Sequence, residues 1–353
     1  MGGRARAEPF RLRYNQYNQG KRSLTLNLKH PRGLDLARDL VRRADVVVDN
    51  FSAGALERMG LGPATLRAIK PDLVQISMAG HGQTGPIAPY VAYGPTQVPM
   101  IGLASLTGYP GDVPREVGIS YGDPNGGLHA ALAVLAALHH RDRTGEGQYI
   151  DMSQWEAALP LVCEGLLTYQ MAGAQPPRMG NRDQFEAPQG VFRCAGDDAW
   201  VALSCWSDAE WRALAAAIDR ADLRDDPTLA TAAGRKEREE EIEAAIEAWT
   251  AQRTKAAAAG VLQSAGVPAA PVFTTADVTH SPDLAARDYW VELPHPEVGA
   301  RRHAGIPWRF SGTPLRVRGP APTMGQHTDA VLRETLGLPD AAIAALRAEG
   351  ALD

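Results

Sequence analysis

The 353-residue chain is sparing in several things at once. Its cysteines are three, Cys163, Cys194 and Cys205, an odd number with no CxxC pair, which argues against a disulfide framework or a zinc site and fits a reducing, cytoplasmic compartment. They read as core thiols. No apolar run reaches the roughly 18 charge-free residues that a transmembrane helix needs. The first ten residues carry arginines but no apolar h-region, so no secretory leader is expected, and Gly2 without a second anchor does not make a myristoylation site. Basic excess is absent too: 36 Lys and Arg stand against 41 Asp and Glu, a net charge of -5, which leaves no footprint for nucleic acid. GxxxxGK[ST] does not occur, so nucleoside triphosphate binding lacks its phosphate fingerprint, and nicotinamide binding is not favoured either.

What is present is a globular composition, 44% hydrophobic and 22% charged, long enough for about two domains. Residues 24–28 alternate with period two and read as a strand. Pro31 then opens an amphipathic helix to residue 43, and residues 45–49 read as a buried strand. Short helices over 56–59 and 63–69 precede a further strand at 73–77. Strands and helices alternating at this spacing predict βαβ units and a doubly wound, Rossmann-like parallel sheet. Ligands of such sheets sit beyond the carboxyl ends of the strands, where loops 50–54 and 79–86 lie.

After a helix containing Leu128, Leu132, Leu135 and Leu138, a longer helix is expected from about 152 to 171. A Pro/Gly-rich stretch follows, and then a hairpin made by residues 191–194 and 200–204. Helices are expected over 208–218, 236–249 and 254–265, the acidic run 237–243 being a solvated helix face. A strand-like stretch covers 291–310, and a final helix covers 329–336, with Thr328 or Asp329 as its cap. The domains are therefore drawn as a large α/β domain (1–172), a linker (173–185), a smaller α+β domain (186–300) and a C-terminal return to the large domain (301–353).

One carboxylate stands in a turn-forming Gly/Pro/Asn context just before a helix. That is Asp123, placed where a side chain faces a ligand and where a carboxylate can serve as a nucleophile. As a purely structural residue it would cap the helix. His129 reads as packing and His139 with His140 as a helix-end pair, and His81, in a glycine loop, is the histidine to watch.

The stretch from Val117 to His129, followed by Arg141, Arg143, Thr144, Gly145, Gly147 and Gln148, resembles the signature of the family III CoA-transferases, the group of formyl-CoA transferase and carnitine CoA-transferase. Four further segments fit in the family's order: residues 18–27, residues 49–60, residues 80–86, and 307–311 with 325–329. The resemblance implies that Asp123 attacks an acyl-CoA thioester and that Asn50, Phe51, Arg58 and Met59 border the nucleotide of CoA. Lys21 and Arg22 add positive charge, and Gln83 lines the reacting centre. It implies an acyl-CoA donor and a carboxylic acid acceptor, coenzyme A as substrate with no permanently bound cofactor, no metal, and no nucleic-acid or membrane partner. It also implies a homodimer of interlocked rings.

Family chains begin with a βα unit that is expected to be missing here. A glycine-repeat loop of formyl-CoA transferase has no counterpart between Met179 and Gly190, so formyl or oxalyl specificity is not favoured. Two alternatives stay open: an α-methylacyl-CoA racemase-like isomerase, whose histidine would fall near Tyr93 and Gly94 where none stands, and a non-catalytic CoA-binding subunit.

Overall fold

Pro31 and Pro63 each take a first-turn helical position, where a missing N–H removes no intrahelical bond, and they open α1 (Pro31–Arg43) and α3 (Pro63–Ile69). Between them run β1 (Val46–Asp49) and the short α2 (Ala55–Arg58). The computed structural model describes residues 13–352; the segment 1–10, on which the leader and acylation expectations fall, lies outside them. Strand β2 (Val74–Ser77) pairs in parallel with β1 on one side and with β3 (Gln148–Asp151) on the other. The register aligns Asp49, Ser77 and Asp151, so all three strands end at one level in a polar side chain. Parallel pairing requires crossovers. The one between β2 and β3 contains α4 (Gly94–Met100) and the 23-residue α5 (Gly122–Thr144), and α6 (Gln154–Ala158) follows β3 under a Ser153 cap.

The described residues divide into two compact units, 13–101, 120–160 and 280–352 forming the first, and 102–119 and 161–279 the second. In the first, Leu66, Leu73, Val41 and Leu61 pack behind the parallel sheet, and a separate cluster joins Leu36 to Leu332, Ile343 and Leu346. A hairpin of Trp290–His295 and Gly299–Ala304 belongs to it as well.

The second unit holds an antiparallel sheet, β4 (Gln189–Arg193), β5 (Trp200–Ser204) and β6 (Ala269–Pro271), with helices α7 (Asp208–Ala217), α8 (Glu239–Thr250) and α9 (Lys255–Ser264). Residues 173–185 fall within this unit. Ser207 and Glu210 close a capping box on α7, and Thr254 caps α9, so orphan helix donors are met by side chains. Arg235 is fully buried and discharges its guanidinium onto the Ala187 and Leu229 carbonyls and Asp208.

Several expectations are corrected. Residues 24–28 form no strand: Asn27 N–H donates to the Ala351 carbonyl, and the Thr25 hydroxyl to that of Leu352, so the segment bonds to the chain's C-terminal end instead of a ladder. Strand β1 is an edge with Val48 57% exposed, not a buried strand. The expected helix over 152–171 is interrupted by a 3-10 turn, Leu159–Val162, where Pro160 has no N–H to continue α6, and Cys163–Ala172 is a separate helix. No strand follows the hairpin through residues 305–310.

The acidic run is not wholly solvated, because Glu239 is buried and paired with Lys236 at 2.8 Å, while Glu243 binds Arg182. Thr328–Leu336 is followed by one more helix, Asp340–Ala348, and is not side-chain capped; Thr328 accepts from Thr25 N–H, and Asp329 pairs with Arg347. Cys194 and Cys205 are buried thiols as expected, but Cys163 is exposed.

Candidate active site

Helix α5 begins at Gly122, three residues before Asn125, because Pro124 is well suited to a first helical turn. Asp123 is therefore the second residue of the helix and not the residue before it. Its side chain caps nothing: the N-cap position is Tyr121, and no hydrogen bond to the Asp123 carboxylate exists among the described residues. The carboxylate instead opens to solvent on one side and rests on glycine on the other. A Cβ placed on Gly94 would come within 2.9 Å of Asp123 Oδ2 and 2.5 Å of Ser120 Cβ, closer than real side chains pack. Partial burial raises the Asp123 pKa above its ordinary value, and the Arg13 guanidinium pulls in the opposite direction. The helix dipole favours negative charge at this end. The result is a carboxylate committed to no protein donor, held against a flat glycine surface.

A second group forms at the carboxyl ends of β1 and β2. Asp49, buried at the end of β1, accepts from the Ser77 hydroxyl at 2.5 Å and from Phe51 N–H at 3.2 Å, which turns the chain sharply after the strand. Gly54, at φ 71, accepts a conformation costly for other residues and donates its N–H to Gln83 Oε1 at 2.9 Å. Gln83 N–H in turn donates to Asp151 Oδ1 at 2.7 Å, and the Thr84 hydroxyl reaches Oδ2, so the loops after β1 and β2 are tied to the end of β3. Upon this frame Phe51 and Met59 stay 48% and 37% exposed, and Arg58 donates to the Ala53 carbonyl at 3.3 Å. An apolar ring, a thioether and a guanidinium left open beside a strand end form a surface suited to a base and a phosphate.

Asn50, Phe51, Arg58, Met59 and Gln83 are thus brought together. Lys21 and Arg22 are engaged elsewhere, Lys21 with Asn18 at 3.0 Å and Arg22 with Glu334 at 2.9 Å. Gln83 is committed to the Asn50 loop through Gly54. His129 is exposed, not packed, with Nδ1 3.0 Å from the Asn125 carbonyl. His81 is buried edge-on to Trp155, its Nδ1 without a partner. Among the described residues no cluster of His, Cys, Asp and Glu is arranged to hold a metal, and no helix is long and apolar enough to cross a membrane.

Sequence reading missed Gly94 and Asp151 as parts of the site. Each acts through a contact distant in sequence. Only Gly94 had a signal, as the position where a racemase histidine was sought.

The fold and site define an α/β protein that presents an unpartnered carboxylate at a helix start, together with an open loop surface at the ends of a parallel sheet. Residues 4–328 match CoA-transferase family III, and the chain belongs to that family as one of its enzymes. It is 33% identical over 347 residues to the succinyl-CoA–D-citramalate CoA-transferase of Chloroflexus aurantiacus, covering 98% of this chain and 86% of that one. It is 32% identical to a formyl-CoA:oxalate CoA-transferase of Streptomyces avermitilis, over 97% of this chain and 86% of the other. Among solved structures, a CAIB/BAIF family protein from Brucella suis superposes with a TM-score of 0.83 at 31% identity, over 91% of this chain and 83% of that one.

Proposed function

We propose that the protein transfers coenzyme A from an acyl-CoA to a second carboxylic acid through covalent intermediates on Asp123. The carboxylate attacks the thioester carbonyl and expels CoA thiolate, leaving a mixed aspartyl-acyl anhydride. The thiolate then attacks the aspartyl carbonyl, releasing the donor acid and forming an aspartyl-CoA thioester. Attack of the acceptor carboxylate on that thioester gives a new anhydride and frees the thiolate again. The thiolate closes the cycle by attacking the new acyl carbonyl, which releases acyl-CoA and restores Asp123. Activation is conserved at each step, so no ATP is consumed. Backbone amides of the glycine-rich loops are the oxyanion donors for the tetrahedral intermediates.

The observation that carries this reading is the unpartnered Asp123 carboxylate on Gly94. Asn50, Phe51, Arg58, Met59 and Gln83 are the coenzyme surface, with Lys21 and Arg22 as more distant positive charge. Donor and acceptor are read as short acids, because the relatives' names pair succinyl-CoA with citramalate and formyl-CoA with oxalate. A racemase-like reading loses ground at Gly94, where even a Cβ meets Asp123. Homodimerisation, in the interlocked form the resemblance implies, draws support from Leu128, Leu132 and Leu135, which are 68%, 68% and 64% exposed in the first unit. The three free thiols fit a cytoplasmic setting.

Incubation with succinyl-CoA followed by hydroxylamine should convert Asp123 to a hydroxamate, because only an activated carbonyl is cleaved there. Asp123→Asn should abolish both labelling and transfer while retaining CoA binding. Transfer persisting in a verified, undeamidated Asp123→Asn protein would exclude the mechanism, and CoA binding with no labelling of the wild type would favour the non-catalytic subunit.

A further inference from the structure

Two glutamines that the mechanism does not use lie under the site. Gln97 is 2% exposed and Gln154 is 3% exposed, so their amides need partners inside the protein. They find them in a chain. Gln97 Nε2 donates to Gln154 Oε1 at 3.3 Å, and Gln154 Nε2 donates to Asn50 Oδ1 at 2.9 Å and to the Met78 carbonyl at 2.7 Å.

The direction of the chain follows from chemistry. A backbone carbonyl only accepts, so Met78 requires the NH2 of Gln154 on its side, and Asn50 must then offer its oxygen to that same NH2. Gln154 Oε1 is left for Gln97, which must donate. At the outer end the Asn50 NH2 is released to face a ligand's acceptor atoms, such as the phosphate or amide oxygens of a CoA thioester. At the inner end Gln97 Oε1 remains without a partner.

That inner end meets the helix carrying the nucleophile. A Cβ on Gly122 would sit 2.5 Å from Gln97 Oε1, and Gly122 immediately precedes Asp123. Helix N-termini carry N–H groups with no intrahelical acceptor, so a buried amide oxygen is well matched to this turn. Helix α4, which bears Gln97, also bears Gly94, on which the carboxylate rests. One turn on, a Cβ on Gly126 would lie 3.0 Å from Gln154 Cγ, and one on Gly80 would lie 3.1 Å from Gln97 Nε2. Glycine at three positions, 80, 122 and 126, lets these two side chains run between the coenzyme loop and the start of α5 with no intervening bulk.

We propose that Gln97 and Gln154 are positioning residues, an amide relay that fixes the donor face of Asn50 toward CoA and the first turn of α5 beneath Asp123, so that coenzyme contact and attack geometry are set together. This rests on reading Asp123 as the nucleophile and Asn50 as a coenzyme contact. Gln154→Met keeps length but removes the donor that orients Asn50. Gln97→Met keeps that donor and removes only the inner end.

The test combines CoA affinity by calorimetry with the single-turnover rate of Asp123 acylation at saturating succinyl-CoA, read as hydroxamate by mass spectrometry. Gln154→Met should weaken CoA about tenfold and slow acylation about tenfold, whereas Gln97→Met should slow acylation by a similar factor with CoA affinity within about twofold of wild type. Gln97→Glu, the same shape with a like charge beside the nucleophile's turn, should move the acid limb of acylation to higher pH. A role confined to packing would lower melting temperatures but leave the saturated rate and acid limb of the folded variants unchanged, and that result overturns the relay. If Gln154→Met does not fold, Gln154→Glu removes the same donor and is read in its place. Wild-type protein that binds CoA but is never labelled overturns the nucleophile and the relay together; labelled wild type with unaltered variants overturns the relay alone.

Discussion

The closed cluster of the second unit and helix α5 of the first use hydrophobic side chains in opposite ways. In the second, 19 residues form one closed cluster in which Val201, Cys205, Leu214, Leu229, Ile242, Ile246, Ala258 and Leu262 are at 0% exposure. Its helices α7 and α9 carry side-chain caps, and its fully buried charge, Arg235, is met by two carbonyls and Asp208. In the first unit the long helix α5 buries only Gly122, Gly126, Ala130 and Ala137 and turns Leu128, Leu132 and Leu135 outward. Small residues face inward because backbone and amide side chains must approach closely there. The second unit closes an apolar cluster on itself, whereas α5 of the first leaves Leu128, Leu132 and Leu135 uncovered.

The sharpest way to break this contrast is to cut one leucine from each unit. Leu214→Ala should destabilise the protein by about 2–5 kcal/mol through lost transfer energy and a residual cavity. Leu132→Ala should change the stability of the folded subunit by no more than about 0.5 kcal/mol. Leu132→Glu should weaken self-association, shifting sedimentation from about twice the 37.8 kDa chain mass toward one copy. Equal thermal destabilisation by both alanine variants, with no change in assembly, would remove the distinction.

Next in size is a change of one methyl group at the site. Gly94→Ala places a Cβ where the Asp123 carboxylate and Ser120 already are, so the nucleophile has to move. A displacement near 1 Å at a reacting group costs on the order of a hundredfold in rate. Acylation by succinyl-CoA should fall by about that factor while circular dichroism and CoA affinity persist. An unaffected rate would mean that the glycine surface does not set the attack geometry.

The periodic elements were legible from the sequence, because a turn proline, an amphipathic period or an alternating hairpin is local. Pro63–Ile69 was read to the residue, and β4 with β5 was recognised from two short β-rich runs. Leu24, Leu26 and Leu28 alternate as a strand does, yet alternation only says which side is apolar, and the acceptors of Thr25 and Asn27 between them lie more than 300 residues away. The same limit hid the site. Asp123 was visible through its turn chemistry and family resemblance, whereas the contacts of Gly94, Gln97 and Gln154 exist only after α4, α5 and α6 are folded against one another. The leucines of α5 were expected as ordinary helix residues, and nothing in a 3.6-residue period tells a core face from a docking face.

A smaller effect is expected at the coenzyme surface. Arg58 makes one bond to the Ala53 carbonyl, so its removal should spare the fold. Arg58→Ala should weaken CoA by about 1–3 kcal/mol through loss of a charge-assisted phosphate contact, with the melting temperature unchanged. Calorimetry showing unchanged affinity would return Arg58 to plain surface charge.

The finest distinction concerns the two influences on Asp123 itself. Burial raises its pKa and Arg13 lowers it, burial being the larger. Attack requires the ionised carboxylate, so acylation should be complete above the raised pKa and fade as pH falls through it, at a higher pH than an ordinary aspartate would show. Arg13→Ala removes the opposing charge and leaves burial in place. The acid limb should then move further up, and salt should shrink the difference between the two proteins because exposed charges are screened. An Arg13→Ala limb at lower pH would reverse the sign that the geometry requires, and a limb at the ordinary aspartate position in both proteins would show that the glycine surface under Asp123 does not desolvate it.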